Sequence, residues 1–471
     1  MLHDFLAAGP VTVLALAGLL SLLIAGMRPA ASWLQWWISI IGLAAAGIWS
    51  LSTLGTQEIV FQGMLSTGGA AGYWTFVFAA SGILCLFLSR EYLERTGILH
   101  GEYYALLLFA VDGMVMMGSA ADMIMFFIGL EIMSISFYVL AGFARTKLTS
   151  NEAALKYFLF GSFATGFLLY GIALLYGSTG STSISTILAA SGSPSSHGLY
   201  LVGLALLVIG LTFKVSAVPF HMWAPDMYEG APTTVSAFMS TAGKAAAFSA
   251  LLLVFAPALM QHQQPVRDVL AVIAAASMIV GNVLAISQTS LKRMLAYSSI
   301  AHAGYILSGI VAGNPMGSTG VLFYLLAYTL MNVGAFGVVA LEEEADGANL
   351  LIDNYAGYSR RRPMVAALMA IFMFSLAGVP PFAGFFGKYY VFAGAVEAGY
   401  TWLAITGVVM SVVSAYYYLR VVVTMYFRDD TGPEMRTLPI EGLLALGVAA
   451  VALLGLGIVP SIVVNVTRMF F

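Results

Sequence analysis

Charge is what this sequence has least of. Asp, Glu, Lys and Arg make up only 9% of its 471 residues, against roughly 25% in soluble domains, while 60% are hydrophobic. That balance describes a polytopic membrane protein rather than a large globular enzyme. The formal net charge is −3, which leaves no basic field for nucleic acid. Cysteine is nearly missing too. The single Cys85 lies inside an apolar run (73–89), which excludes disulfides and thiolate metal sites and leaves a plain buried thiol. There is no Gly-rich phosphate loop and no His/Cys cluster. The opening "MLHDFLAAGPVTVLALAGLL" lacks the basic flank of a signal peptide and reads as a first spanning helix that is retained.

What the chain has is long apolar runs. A helix needs roughly 20 apolar residues to cross the hydrocarbon core. That length predicts spans near 10–27, 33–54, 73–89, 102–121, 122–143, 152–176, 198–222, 231–256, 268–287, 291–312, 318–341, 363–396, 401–427 and 439–467. The fold class expected is therefore an all-α polytopic membrane protein with 14 transmembrane helices, the tightest turn falling near Asp122. Lys and Arg divide unevenly between the loops. Odd-numbered loops hold twelve (Arg28, Arg90, Arg95, Arg145, Lys147, Lys292, Arg293, Arg360, Arg361, Arg362, Arg428 and Arg436), and the even loops and tail hold only Arg267 and Arg468. Odd loops are then cytoplasmic and both termini lie on the non-cytoplasmic side. "GSTGSTSISTILAASGSPSSHG" (177–198) reads as an uncharged external loop, and "EEEADGANLLIDNYAGYSRRRP" (342–363) as a solvated, charged cytoplasmic one.

Five basic residues remain inside spans: Lys156, Lys214, Lys244, Lys388 and Arg420; Asp112 and Glu131 are the deep acids. Each costs at least ~2.5–3.5 kcal/mol on insertion scales, so each should face protein or water. Arg420 lies about two turns from the cytoplasmic end and Lys156 one turn into its helix, so snorkelling to the interface explains them as well as function does. Asp112 fits a structural hydrogen-bonder. Lys214, Lys244 and Glu131 resist such readings: Glu131 is roughly 13 Å along its helix from Asp122, and Lys244 is about twelve residues from either end of its span. Burial lowers a lysine's proton affinity and a nearby carboxylate restores it, so a row of lysines with a glutamate partner can store and release protons. One charge crossing 100 mV costs about 2.3 kcal/mol, a swing of just under ~2 pKa units. His221 stands seven residues after Lys214 with the helix-breaking Pro219 between them, and His302 lies mid-span; beside the lysines both suit a proton relay.

A second interrupted span, "FMFSLAGVPPFAGFFGKYYVF" (372–392), repeats the Pro-Phe step at 219–220 with its own 381–382 and a lysine nearby. "YVLAG" (138–142) and "YILSG" (305–309) also match. Both pairs sit five spans apart. Five is odd, so the copies face opposite ways: two inverted five-helix repeats, helices 4–8 and 9–13, with broken helices 7 and 12. The units expected are 1–101, 102–256 (first repeat), 268–427 (second repeat) and 439–471.

"GLTFKVSAVPFHMWAPDMYEGAPTTVSAFMSTAGKAAAF", "SLKRMLAYSSIAHAGYIL" and "AGVPPFAGFFGKYYVF" together resemble the proton-translocating, antiporter-like subunits of respiratory complex I, and the likeness runs essentially the whole chain. The resemblance implies the fourteen-helix, two-repeat fold. It places the family's relay on Glu131, Lys156, Lys214, His221, Lys244, His302 and Lys388, with Lys156 modulating. It implies no cofactor or metal in this chain, since NADH, FMN, Fe-S clusters and quinone belong to partner subunits. The partners it implies are other membrane-arm subunits, including another antiporter-like subunit and a small membrane subunit, within the bacterial inner membrane and its lipid. The chain's length suits the shorter family members, without a long lateral helix after Phe471. Two other readings stay open: an Mrp-like cation/proton antiporter subunit (or one from a related ferredoxin or hydrogenase complex), and a scaffold whose charges only lock helices together.

Overall fold

In hydrocarbon every backbone amide must find its partner within the chain, and long apolar runs do so as helices. The computed structural model describes residues 2–28, 31–192, 197–255, 263–344, 350–430 and 437–470. Arg436, positions 193–196 and 345–349 of the two linkers, and the unit ends at 1, 256 and 471 lie outside them. In chain order the helices of six residues or more are α1 (Leu2–Ala7), α2 (Gly9–Met27), α3 (Ser32–Ser52), α4 (Gly69–Arg95), α5 (Glu102–Gly118), α6 (Met123–Ala141) and α7 (Leu148–Thr179). There follow α8 (Ile184–Ala189), α9 (His197–Lys214), α10 (Trp223–Gly230), α11 (Thr233–Val254), α12 (Gln264–Ile286) and α13 (Leu291–Ala312). The last are α14 (Pro315–Glu342), α15 (Pro363–Ala377), α16 (Ala383–Glu397), α17 (Thr401–Phe427), α18 (Ile440–Ile458) and α19 (Ser461–Arg468). Among the described residues twelve helices are long and apolar enough to cross a membrane: α2–α4, α6, α7, α9, α11–α14, α17 and α18. The chain is an all-α, multi-pass membrane protein.

Several boundaries differ from those the apolar runs predict. Span 7 was expected to continue to 222, but α9 stops at Lys214. Ser216 turns left-handed (φ 58°), the Ala217 amide reaches back to the Thr212 carbonyl (2.9 Å), and Pro219 cannot continue the ladder. Span 12 stops the same way: Gly378 has φ 88°, the Val379 amide returns to Phe374 (3.0 Å), and Pro381 follows. In both breaks the left-handed residue stands three positions before a Pro-Phe step. The last span ends at Ile458 rather than 467, because Pro460 restricts the residue ahead of it, and α19 is a separate helix. A small hairpin was not foreseen. β1 (Gln57–Val60) pairs antiparallel with β2 (Leu65–Gly68); over the α5–α6 turn the Ser66 amide donates to the Ser119 carbonyl and the Met64 carbonyl accepts from the Ala121 amide. That turn starts α6 with Asp122 as N-cap, its carboxylate accepting from the Ile124 amide (2.8 Å).

Helices α11, α13 and α14 are buried almost all round, whereas α2 and α17 present exposed Leu and Val faces. The polar residues of α11 and α13 therefore sit as deep as any in the molecule. The solvated reading of the 342–363 charge run also needs correcting. Glu342 and Glu343 are buried, Glu342 accepting from Tyr358 (2.6 Å) beside Arg362 (3.2 Å).

Candidate functional site

The break after α9 leaves Lys214 as a helix-terminal residue at depth. Its ammonium donates to Ser134 Oγ (2.8 Å) and lies 5.9 Å over the Tyr138 ring. Glu131, Ser134 and Tyr138 follow one another at i, i+3 and i+7 on α6, so the acid shares the face that meets Lys214. Glu131 Oε1 accepts from Thr165 on α7 (3.1 Å). No ion pair within 4.0 Å joins Glu131 to a lysine among the described residues; Lys214 meets Ser134, one turn along α6 from Glu131.

Lys244 follows a π-helical turn, Met239–Gly243, which inserts an extra residue into α11. Such bulges re-aim the side chains after them. Lys244 is aimed at Ser299 on α13, donating to its carbonyl (2.7 Å) and its hydroxyl. Tyr228 of α10 is fully buried beside α11, its carbonyl accepting from Ser236 (2.7 Å). One turn on from Ser299, His302 is held at both ring nitrogens, Nδ1 with Tyr324 (2.9 Å) and Nε2 with Tyr418 (3.0 Å). A neutral imidazole donates at one nitrogen and accepts at the other, so a proton can enter one end and leave the other. Tyr418 in turn bonds Ser298. Lys388 donates to the Ala377 carbonyl (2.9 Å), the free end of α15, and stands 4.8 Å over Tyr305. Tyr305 accepts from Asn282 (2.9 Å), which accepts from Tyr417 (2.9 Å). Lys214, Lys244, His302 and Lys388 thus lie along one buried polar row.

The remaining candidates sit elsewhere. Lys156 lies apart from Glu131: it is half-exposed and pairs with Glu152 (2.7 Å) and Asp226 (2.8 Å). Asp226 also meets Arg293 (2.9 Å), which meets Glu229 (2.7 Å). Burial alone would raise the Asp226 carboxyl, but the hydrogen bonds from Lys156 and Arg293 outweigh it and hold it below the usual carboxylate range. His221 is half-buried, its Nδ1 unbonded among the described residues. Asp112 is buried with Oδ1 likewise unbonded. Arg420 does not join the row. Its guanidinium holds the Ile286 (3.0 Å) and Gln288 carbonyls at the end of α12.

Sequence reasoning missed the tyrosine and asparagine shell around His302. It also missed Lys292, counted as a loop cation but buried, with Nζ on the Ala231 carbonyl (2.9 Å). The run "YYYL" (416–419) was the one visible hint of the shell.

A family model described as NADH:quinone oxidoreductase/Mrp antiporter, TM, matches residues 120–414, a window that holds Glu131 and every lysine and histidine of the row. The chain belongs to this family. Among its relatives, the NADH-quinone oxidoreductase subunit N of Trichlorobacter lovleyi is 46% identical over 466 residues, 97% of this chain and 94% of that one. A chain of respiratory complex I from Thermus thermophilus with bound Aureothin superposes with a TM-score of 0.85 at 36% identity, covering 97% of this chain and 98% of that one. A chain of the Mrp complex from Dietzia sp. DQ12-45-1b reaches a TM-score of 0.84 at 21% identity over 98% and 96%, a likeness of fold. For this member of the NADH:quinone oxidoreductase/Mrp antiporter family, the buried row lies within the matched stretch of chain, which runs from the start of α6 into α17.

Proposed function

We propose that the chain is a membrane-arm subunit of a proton-translocating NADH–quinone oxidoreductase and carries one proton path. The observation that carries this is the buried row Lys214, Lys244, His302, Lys388, each with a hydroxyl, carbonyl or phenol in contact and Glu131 at its head. Charge on Glu131 favours the ammonium form of Lys214. When that influence is withdrawn, the proton moves to Lys244, and through His302 toward Lys388. Quinone reduction elsewhere in the complex drives the change, and NADH, flavin, iron–sulfur clusters and quinone belong to partner subunits. Lys156 modulates the entrance by competing for Asp226. His221 borders the break rather than the row.

Fourteen crossings follow if α5 and the interrupted α15–α16 pair are counted beside the twelve long helices. The matching closures at Ser216 and Gly378 support two repeats, 102–256 and 268–427, between the end units 1–101 and 439–471. So do the paired close approaches. A Cβ on Gly113 would meet Gly129 O at 2.5 Å across α5–α6, and one on Gly304 would meet Ala274 O at 2.6 Å across α12–α13. The cation asymmetry supports placing both termini outside a bacterial inner membrane. An Mrp-like antiporter subunit shares the fold, and the 46% identity to a subunit N favours the oxidoreductase.

Lys214→Ala or Glu131→Ala, made in the assembled complex, should lower protons pumped per quinone reduced in membrane vesicles far more than it lowers assembly. Wild-type pumping in both variants would overturn the reading and favour a scaffold.

A further inference from the structure

A cavity of about 440 Å³ opens where the loops after α4, α6, α10, α12 and α14 converge. At about 30 Å³ per molecule of liquid it has room for on the order of ten waters. Four cations and four carboxylates line it. Lys156 and Arg293 tie up three of the acids: Glu152, Asp226 and Glu229. The fourth is Glu343, buried at the cavity floor where α14 ends. Its Oε2 accepts from Tyr92 (3.1 Å) and Thr233, while no hydrogen bond or ion pair within 4.0 Å holds Oε1 among the described residues. The buried ammonium of Lys292 lines the same floor.

Thr233 is the first residue of α11, the helix that carries Lys244. Thr233 and Ser236 share one face at i and i+3, Ser240 follows inside the π-helical turn, and all three are fully buried. Each step is roughly 5 Å of helix rise, a gap that one bridging water spans. Asn332 then donates to Ser240 (2.7 Å) and to the Tyr328 hydroxyl (3.1 Å). The Tyr328 ring stands 5.1 Å from that of His302, one turn on from Ser299, and Ser299 holds Lys244. A polar ladder therefore runs from the cavity floor to the central lysine without touching Lys214.

We propose that Glu343 takes protons from the water-filled cavity and delivers them to Lys244 along Thr233, Ser236, Ser240, Asn332 and Tyr328. A proton from cavity water adds to Oε1 and gives the neutral acid. The acid returns to carboxylate as one proton passes into the water and hydroxyl chain, and one arrives on Lys244 once that lysine has passed its own toward His302. Asn332 carries no proton itself: by bonding both, it holds the Ser240 and Tyr328 hydroxyls within reach of one bridging water, through which the proton passes. The remaining carboxylates of the cavity, held by Lys156 and Arg293, keep it polar and open.

The proposal rests on the proton-path reading above, and its test separates the two. The intact complex is reconstituted in liposomes as wild type, E343Q, Lys244→Ala and the double variant, and protons translocated per quinone reduced are measured with the rate of quinone reduction. Gln keeps an oxygen for Tyr92 and Thr233 but cannot load a proton. E343Q should lose as much of the proton ratio as Lys244→Ala does, the double variant should lose no more than either, and Glu343→Asp should restore the ratio. A wild-type ratio in E343Q beside a lowered one in Lys244→Ala overturns this proposal alone. So does a proportional fall of pumping and quinone reduction, the mark of a mere helix cap. Normal ratios in both variants overturn the proton path itself. Should E343Q fail to assemble, Ser240→Ala leaves the cavity intact and carries the test, an unchanged ratio again overturning the proposal.

Discussion

Arg420 shows how a single deep charge can serve structure. Two carbonyls at the end of α12 depend on it. Arg420→Met would leave them unpaired at a cost of about 1–3 kcal/mol, read as a lower Tm of the purified complex with an unchanged proton ratio in what assembles. The sequence located this residue because a guanidinium inside an apolar run is costly wherever it points. It left open what the charge holds, since the answer lies on a helix more than 130 residues away. Lys214, Lys244 and Lys388 were legible for the same reason. The shell around His302 was not: tyrosine and asparagine cost little at mid-span and break no pattern. Glu343 was hidden in an acidic run that looked solvated.

At the scale of elements, the two interruptions matter more than the helices they interrupt. Pro219 and Pro381 announced both breaks, but the residues that execute them, Ser216 and Gly378, carry no comparable signal. Gly378 has φ 88°, and a Cβ there would stand 3.0 Å from Lys388 Cδ. Gly378→Ala is therefore expected to cost about 1–2 kcal/mol from the left-handed backbone alone and to push Lys388 off the Ala377 carbonyl. Thermal melting and the proton ratio should both fall, whereas Ser216→Gly, which suits its φ of 58°, should leave the fold intact. The π turn before Lys244 was invisible in sequence, because an extra residue in an apolar helix leaves its composition unchanged.

For the whole molecule, the apolar runs and the cation asymmetry together make a claim about sides. Cys85 is fully buried, so the native chain gives little background with a membrane-impermeant thiol reagent. A cysteine placed at exposed Gln57 in the hairpin should label from outside intact cells, and one at exposed Thr146 only after the cytoplasmic side is opened. The reverse pattern would invert the topology. The all-α, multi-pass character was readable from hydropathy, since length against bilayer thickness is a property of each run alone. The hairpin and the span ends were not, as these depend on which neighbour supplies a backbone partner.

The basic side chains that rest on helix ends divide into two kinds of joint. Arg95 on Ala340, Arg267 on Val311 and Ala312, and Arg420 on Ile286 are rivets, because a guanidinium never gives up its charge. Lys292 on Ala231 and Lys388 on Ala377 are clasps, closed by an ammonium and loosened by an amine. At these two joints alone, among those named, the occupancy of one proton and the grip on one helix end are the same variable, so whatever shifts α15 also shifts the proton on Lys388.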